Sequence, residues 1–185
     1  MARPEEDADA PDRLERRSRG YRLAVNAERI GLCAVLVAVF GLLVLQVTTR
    51  YVFGTPLSWT EETARFLLVW LTFLGAGYLM SRRLHISVDL LVARLGPRSA
   101  VAVDVGATAV AVAASAVMAV AAASLAHMSG DLRAPATQLP MWTVHTAAVA
   151  GFALTSLHGL VNIAVSLRHP EDVPGAMGPA AKEGA

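Results

Sequence analysis

Four long runs of apolar side chains leave few folds open to this chain. They cover about Ile30–Thr49, Phe66–Met80, Ala100–Met128 and Met141–Leu167. A hydrocarbon layer of about 30 Å takes roughly 20 helical residues to cross. Each run reaches that length once Trp59–Arg65 is counted as the interfacial start of the second. Of 185 residues, 55% are hydrophobic and 17% charged, and the charges gather in the leading segment and a few short clusters. Four helices apolar on every side cannot cover one another in so short a chain, which argues against a soluble core. The expected fold is an all-α membrane protein with four transmembrane helices.

Basic residues orient it. Before the first run stand Arg3, Arg13, Arg16, Arg17, Arg19, Arg22 and Arg29. Between the second and third stand Arg82, Arg83, Arg94 and Arg98, and after the fourth come Arg168 and Lys182. Among 16 Lys and Arg residues, only Arg50, Arg65 and Arg133 fall on the other side. The positive-inside rule therefore places both termini in the cytoplasm. Tyr51, Trp59 and Trp142 fall at the opposite boundary, where amphipathic rings settle. The charged leader is long and no small-residue cleavage site follows the first run, so that run is expected to stay as a signal anchor. Cys33 is the lone cysteine and forms no intrachain disulfide. A formal net charge of +1 gives no reason to expect a nucleic-acid partner.

Three domains are expected: a disordered cytoplasmic tail over 1–25, a four-helix membrane domain over 26–168, and a second disordered tail over 169–185. The first tail mixes acidic residues with arginines and has little to bury; Arg16–Arg22 lie near enough to the inner leaflet to attract anionic lipid. Gly54 and Pro56 end helix one, the glycine at a left-handed cap position. Ser58 followed by Glu61 has the spacing of a capping box, and Glu61 to Arg65 is a favourable i,i+4 pair. Neither accounts for Glu62. Residues 81–98 carry Leu84, Val88, Leu91 and Leu95 on one helical stripe among arginines, which predicts an extension of helix two or an amphipathic interfacial helix. In span three, Ala102 with Gly106 and Ala109 with Ala113 predict close helix approach. In span four, Thr155, His158, Asn162 and Ser166 share one face, and a polar stripe in lipid should turn toward protein.

Candidate chemistry is sparse. His127 and His145 fall near the outer face, where bis-histidine ligation of a haem is an alternative reading. His145 and His158 are about 140° apart around one helix, a poor fit to two stacked haems. His158 is the most deeply placed ionisable group, and intramembrane ionisable residues are functional candidates. Glu61 and Glu62 sit at the outer rim and Asp104 only about 8 Å into span three. No broken-helix pair marks a midplane transport site. These features describe an accessory or scaffold subunit rather than an enzyme.

The run Arg50-Tyr51-Val52-Phe53, then Pro56-Leu57-Ser58-Trp59-Thr60-Glu61-Glu62 and Arg65, then Leu67-Leu68-Val69-Trp70 and Phe73-Leu74-Gly75, resembles the signature of the small membrane subunit of tripartite ATP-independent periplasmic (TRAP) transporters, the DctQ-like component. Arg82-Arg83-x-His85-Ile86-x-Val88-Asp89 is similar to the family's second motif. The resemblance covers roughly residues 25–168. It implies a bacterial inner-membrane complex with a large membrane permease subunit, which carries the substrate and sodium sites, and a periplasmic substrate-binding protein that delivers an organic acid. The small subunit would enlarge the stationary scaffold of an elevator and need no cofactor. On this reading Arg50, Glu61, Glu62 and Arg65 form an outer contact cluster. Arg82, Arg83, His85 and Asp89 form an inner one that meets lipid head groups and the large subunit.

Overall fold

The computed structural model describes residues 19–82 and 97–168. It contains four helices: α1 (Arg19–Tyr51), α2 (Ser58–Ser81), α3 (Pro97–Met128) and α4 (Trp142–Arg168). All four are long and apolar enough to cross a membrane. Among the described residues no strand forms, only an isolated bridge between Arg133 and Pro140. Both predicted tails, apart from the last residues of the first, lie outside the described residues, as does the amphipathic segment between α2 and α3.

The helices do not close into a bundle. α1 packs on α2, α2 on α4, and α4 on α3, giving a single row in the order α1–α2–α4–α3. The row suits the composition of its interior. Apart from Val25, Val39 and Met80, the buried side chains are small or polar, among them Thr60, Ala64, Ser81, Thr108, Ser115, Ala147, His158, Asn162 and Ser166. Large apolar residues such as Val37, Phe40, Val110, Val120 and Leu160 point outward. Lipid tails are as apolar as leucine, so a membrane helix gains little by hiding Leu or Val from them; close packing and hydrogen bonds order the helices instead.

α2 and α4 bring backbone against backbone, and glycines allow it. A Cβ on Gly151 would stand 2.4 Å from the Phe73 carbonyl oxygen, and one on Gly77 would stand 2.9 Å from the Leu154 Cβ. Beside them the Phe73 and Phe152 rings meet edge to face, centroids 5.3 Å apart. The small residues expected to serve this purpose in span three do not. Ala102, Gly106, Ala109 and Ala113 are exposed, and a Cβ on Gly106 would meet nothing within 4 Å. The buried face of α3 is Thr108, Val112 and Ser115, about 120° around the helix. Thr108 and Ser115 are enclosed, and Val112 abuts Gly159.

Two further expectations change. α1 begins at Arg19, so residues 19–25 are helical rather than tail. Its 33 residues extend about 50 Å, well beyond one hydrocarbon layer. Val25 is only 1% exposed, so the extension is packed against protein. The capping box also does not form: the N-cap of α2 is Leu57, with no side-chain cap bond. Ser58 is already helical, and Glu61 turns to Arg65 instead. The Thr60 hydroxyl donates to the Gln46 side-chain carbonyl and ties α2 to α1. Gly54 does adopt the left-handed conformation, at φ 66°. α3 opens on Pro97, where a missing N–H is no loss.

Candidate functional site: a carboxylate clasp across the helix row

The α3–α4 connection is a folded turn. Ser129 stops α3 by donating its hydroxyl to the Leu125 carbonyl at 2.7 Å. The chain then doubles back: Ala134 N–H donates to Leu139 O at 2.9 Å and Met141 N–H to Leu132 O at 2.8 Å. Gln138 takes a positive φ of 55° to make the reversal, and Arg133 donates to its carbonyl at 3.2 Å. Ala134 is wholly buried. These bonds leave the amides of Ala136 and Thr137 at the tip needing an acceptor.

Glu62 supplies it. A single oxygen, Oε2, accepts from Ala136 N–H at 3.1 Å, from Thr137 N–H at 2.6 Å and from the Thr137 hydroxyl at 2.7 Å. The carboxylate thus fastens the tip to the first turns of α2, 75 residues away in sequence. The helix register explains why Glu62 does this and Glu61 does not. At 100° per residue, Glu62 lies within about 60° of Phe66, Phe73, Gly77 and Met80, the α4-facing stripe of α2. Glu61 points about 100° away, where it meets Arg65 in an exposed ion pair. That stripe was legible in the sequence and is the signal that singles out Glu62.

Of the other expected contact residues, Arg50 is exposed in the last turn of α1, and among the described residues no ion pair joins it to Glu61, which pairs with Arg65, or to Glu62. The four charges therefore share one end of the row without closing into one network. At the opposite end, the Arg82 guanidinium lies 5.5 Å over the Tyr78 ring and its Nε donates to the Tyr78 hydroxyl at 3.2 Å. Arg83, His85 and Asp89 lie outside the described residues. His127 is exposed at the end of α3, and His145 is half-buried in the first turn of α4.

The polar stripe of α4 finds its partners within this chain. His158, 5% exposed, donates from Nδ1 to the Gly77 carbonyl at 3.2 Å. Asn162 donates to the Met80 carbonyl at 2.8 Å, meeting a carbonyl of the last turn of α2. Ser166 donates to Asp104 at 3.0 Å and ties α4 to α3. Thr155 returns its hydroxyl to the Gly151 carbonyl of its own helix.

The sequence that folds into this row has relatives among known proteins. Residues 30–169 match the family model for the DctQ component of tripartite ATP-independent periplasmic transporters. The chain belongs to the DctQ family. Among curated relatives of this DctQ chain, a Haemophilus influenzae protein named for the small permease of a TRAP transporter is 43% identical over 67 residues, which is 36% of this chain and 42% of that one. The C4-dicarboxylate TRAP transporter small permease protein DctQ of Rhodobacter capsulatus is 30% identical over 55% of this chain and 45% of its own length. The isethionate TRAP transporter permease protein DctMQ of Oleidesulfovibrio alaskensis is 27% identical over 79% of this chain and 24% of its own. The chain thus spans less than half the length of each. Family and fold together make this DctQ chain a multi-pass membrane protein of the TRAP permease type.

Proposed function

We propose that this protein is the small membrane subunit of a TRAP-type transporter, a stationary scaffold against which a large permease subunit moves an organic acid. The observation that supports this most directly is the one-helix-thick row. His158, Asn162 and Ser166 of the α4 polar stripe are engaged between its own helices, while its two broad faces are apolar. A moving domain needs a fixed neighbour anchored in lipid, and such a plate provides one. The DctMQ relative, in which the matching part is 24% of a longer polypeptide, supports a large permease as the partner. The relatives' names, C4-dicarboxylate and isethionate, support an organic acid as cargo. Sodium coupling belongs to the same reading through the family resemblance.

By the positive-inside distribution, the clasp faces the periplasm and both termini the cytoplasm of a bacterial inner membrane. The Glu62-fastened turn, with Arg50, Glu61 and Arg65 beside it, then forms the surface offered to the periplasmic binding protein and the large subunit. Arg82, with Arg83, His85 and Asp89, holds the inner end to head groups and permease. The family assignment favours transport over a haem held by His127 and His145.

Reconstitution tests the proposal. Liposomes holding this chain, the large permease of its transporter and the binding protein should take up solute, and liposomes with this chain alone should not. Flux through the chain alone, or a Soret band from the purified chain, would overturn the reading. Within the complex, Glu62→Ala and Arg50→Gln should lower uptake; wild-type assembly and uptake in both would confine the outer charges to a structural role within this chain.

A further inference from the structure

The first three turns of α1 divide into distinct faces. Tyr21, Val25 and Glu28 form one stripe, turned to the row: Val25 is 1% exposed, and the Tyr21 ring meets the His158 ring of α4 edge to face, centroids 5.9 Å apart. About 100° further round, Arg22, Asn26 and Arg29 form a second stripe, and all three are exposed. Opposite the first stripe lie Leu23 and Ile30, each 69% exposed. On the remaining flank stand Ala24, Ala27 and Gly31, exposed as well. One flank of the helix is therefore cationic, and the other holds only small residues without charge.

The row inclines this segment. Two contacts fix the course of α1: Gln46, bound by Thr60 of α2, and Tyr21, which meets His158 where that residue is bonded to the Gly77 carbonyl of α2. Between these two levels α1 runs roughly 37 Å and α2 only roughly 26 Å. A helix parallel to α2 could not meet both. α1 therefore crosses obliquely, and its surplus length lies partly along the membrane plane. One flank of an oblique helix turns to the near leaflet surface and the other to the hydrocarbon. The arginine flank takes the surface side, because a guanidinium on an apolar stem reaches for the head groups and an alanine does not.

Charge at this end has one sign. Among the described residues the exposed charges here are Arg22, Arg29 and Arg168, while the two carboxyls, Glu28 and Asp104, are half-buried and Asp104 accepts from Ser166. Exposed charges at the other end are mixed, Arg50, Arg65 and Arg133 against Glu61 and Asp131. Arg82 stands apart from the flank, its guanidinium lying over the Tyr78 ring of α2. Guanidinium groups bind phosphate oxygens in pairs of parallel hydrogen bonds, and a cationic face beside an apolar one is the pattern of a helix seated among anionic lipids.

We propose that the Arg22–Arg29 flank of α1 is a docking surface for anionic phospholipid. The guanidinium groups take the head-group phosphates, and Leu23 and Ile30 lie among the acyl chains of the same lipids. On the orientation proposed above, the lipids are those of the inner leaflet. The surface belongs to this chain alone, so its test stands or fails apart from the scaffold reading.

In that test the full chain in neutral-detergent micelles is offered equal amounts of phosphatidylglycerol and phosphatidylcholine, and the lipid that stays bound is counted by native mass spectrometry. Wild type should retain phosphatidylglycerol in preference. A basic residue at an anionic surface is worth about fivefold in affinity, so Arg22→Gln and Arg29→Gln should each lower the ratio by up to about that factor, and the double variant by more than either. Arg22→Lys with Arg29→Lys, which keeps the charge, should retain most of the preference. Arg50→Gln with Arg65→Gln, an exposed pair at the other end, should leave it unchanged. Equal retention of the two lipids by wild type overturns the proposal, as does a ratio that the Arg22–Arg29 glutamine pair leaves untouched or that the outer pair lowers as much. Loss of the preference in the lysine pair would tie it to helix packing instead of charge, and also overturns it. Inorganic phosphate should displace no more lipid than chloride does at the same ionic strength, since both screen alike; greater displacement would make the flank a site for a free anion and overturn the assignment to lipid.

Discussion

Gly151→Ala is the smallest substitution that should open the α2–α4 seam. The new methyl would stand 2.4 Å from the Phe73 carbonyl oxygen and 2.6 Å from its carbonyl carbon. Ordinary van der Waals contact begins near 3.4 Å, so the overlap is about 1 Å, and its target is backbone, which has no rotamer to escape into. The helices must part. Because the clash is with backbone, the upper part of the roughly 1–3 kcal/mol range for overpacking applies, about 2–3 kcal/mol; less about 1 kcal/mol of gain from Ala over Gly in a helix, the net loss is roughly 1–2 kcal/mol. The damage should spread, because Gly151, His158 and Asn162 lie on one stripe of α4. Parting the seam by about 1 Å would stretch their bonds to the Gly77 and Met80 carbonyls, now 3.2 and 2.8 Å, past useful hydrogen-bond length. For a chain of this size the loss corresponds to roughly 2–8 °C in midpoint, read by thermal unfolding of the purified protein in detergent. Gly75→Ala, where a Cβ meets nothing within 4 Å, is the control and should equal or slightly exceed wild type. Gly159→Ala should fall between them, since its obstacles are the side-chain ends Val112 Cγ2 and Met80 Cε, and a methionine arm repacks readily. Equal midpoints for Gly151→Ala and Gly75→Ala would refute the glycine-seam argument.

Asn162→Ala removes the side-chain donor to the Met80 carbonyl; a loss of about 0.6–2 kcal/mol is expected, measured as a lower thermal midpoint in detergent. Glu62→Ala should raise amide hydrogen exchange at Ala136 and Thr137 while leaving the α2–α4 seam protected, because the clasp contacts only the turn; Glu62→Gln, which keeps a carbonyl acceptor, should show a smaller increase. Asp104→Leu should weaken α3 against α4 through loss of the Ser166 bond, seen as a drop in midpoint that Ser166→Ala, made in the same background, does not deepen.

The spans were legible because hydropathy reports which residues can enter lipid, and all four apolar runs became helices. Where α1 starts was not. Tyr21, Val25 and Glu28 face protein while Arg22 and Arg29 are exposed, so composition averaged along the segment reads as a solvated tail. The partner of the α4 polar stripe was open for a different reason: a polar group in lipid seeks any acceptor, and spacing within one helix does not locate a second. The α3 glycine and alanines misled because small residues permit close approach without requiring it. Glu62 lay between these cases. Its link to the α3–α4 turn joins residues 75 apart in sequence; its register with Phe66, Phe73, Gly77 and Met80 can be read from the sequence, but that α4 covers this stripe is shown only by the structure.

The order of the row follows from where its polar groups sit. Each seam carries its own hydrogen-bonded tie: Thr60 to Gln46 between α1 and α2, His158 and Asn162 to carbonyls of α2 from α4, and Ser166 to Asp104 between α4 and α3. Exchanging the neighbours of any helix would leave at least one of these groups without its acceptor in hydrocarbon, a state that costs several kcal/mol. No comparable penalty acts on the outward faces. Val37, Phe40, Val110 and Val120 lose little whether they meet lipid tails or the apolar side of another membrane protein. A plate built this way keeps its internal order fixed and its broad faces interchangeable between lipid and partner. If the plate serves the proposed scaffold role, selectivity for its partner falls to the polar ends, one of which is the turn held by three bonds to a single Glu62 oxygen.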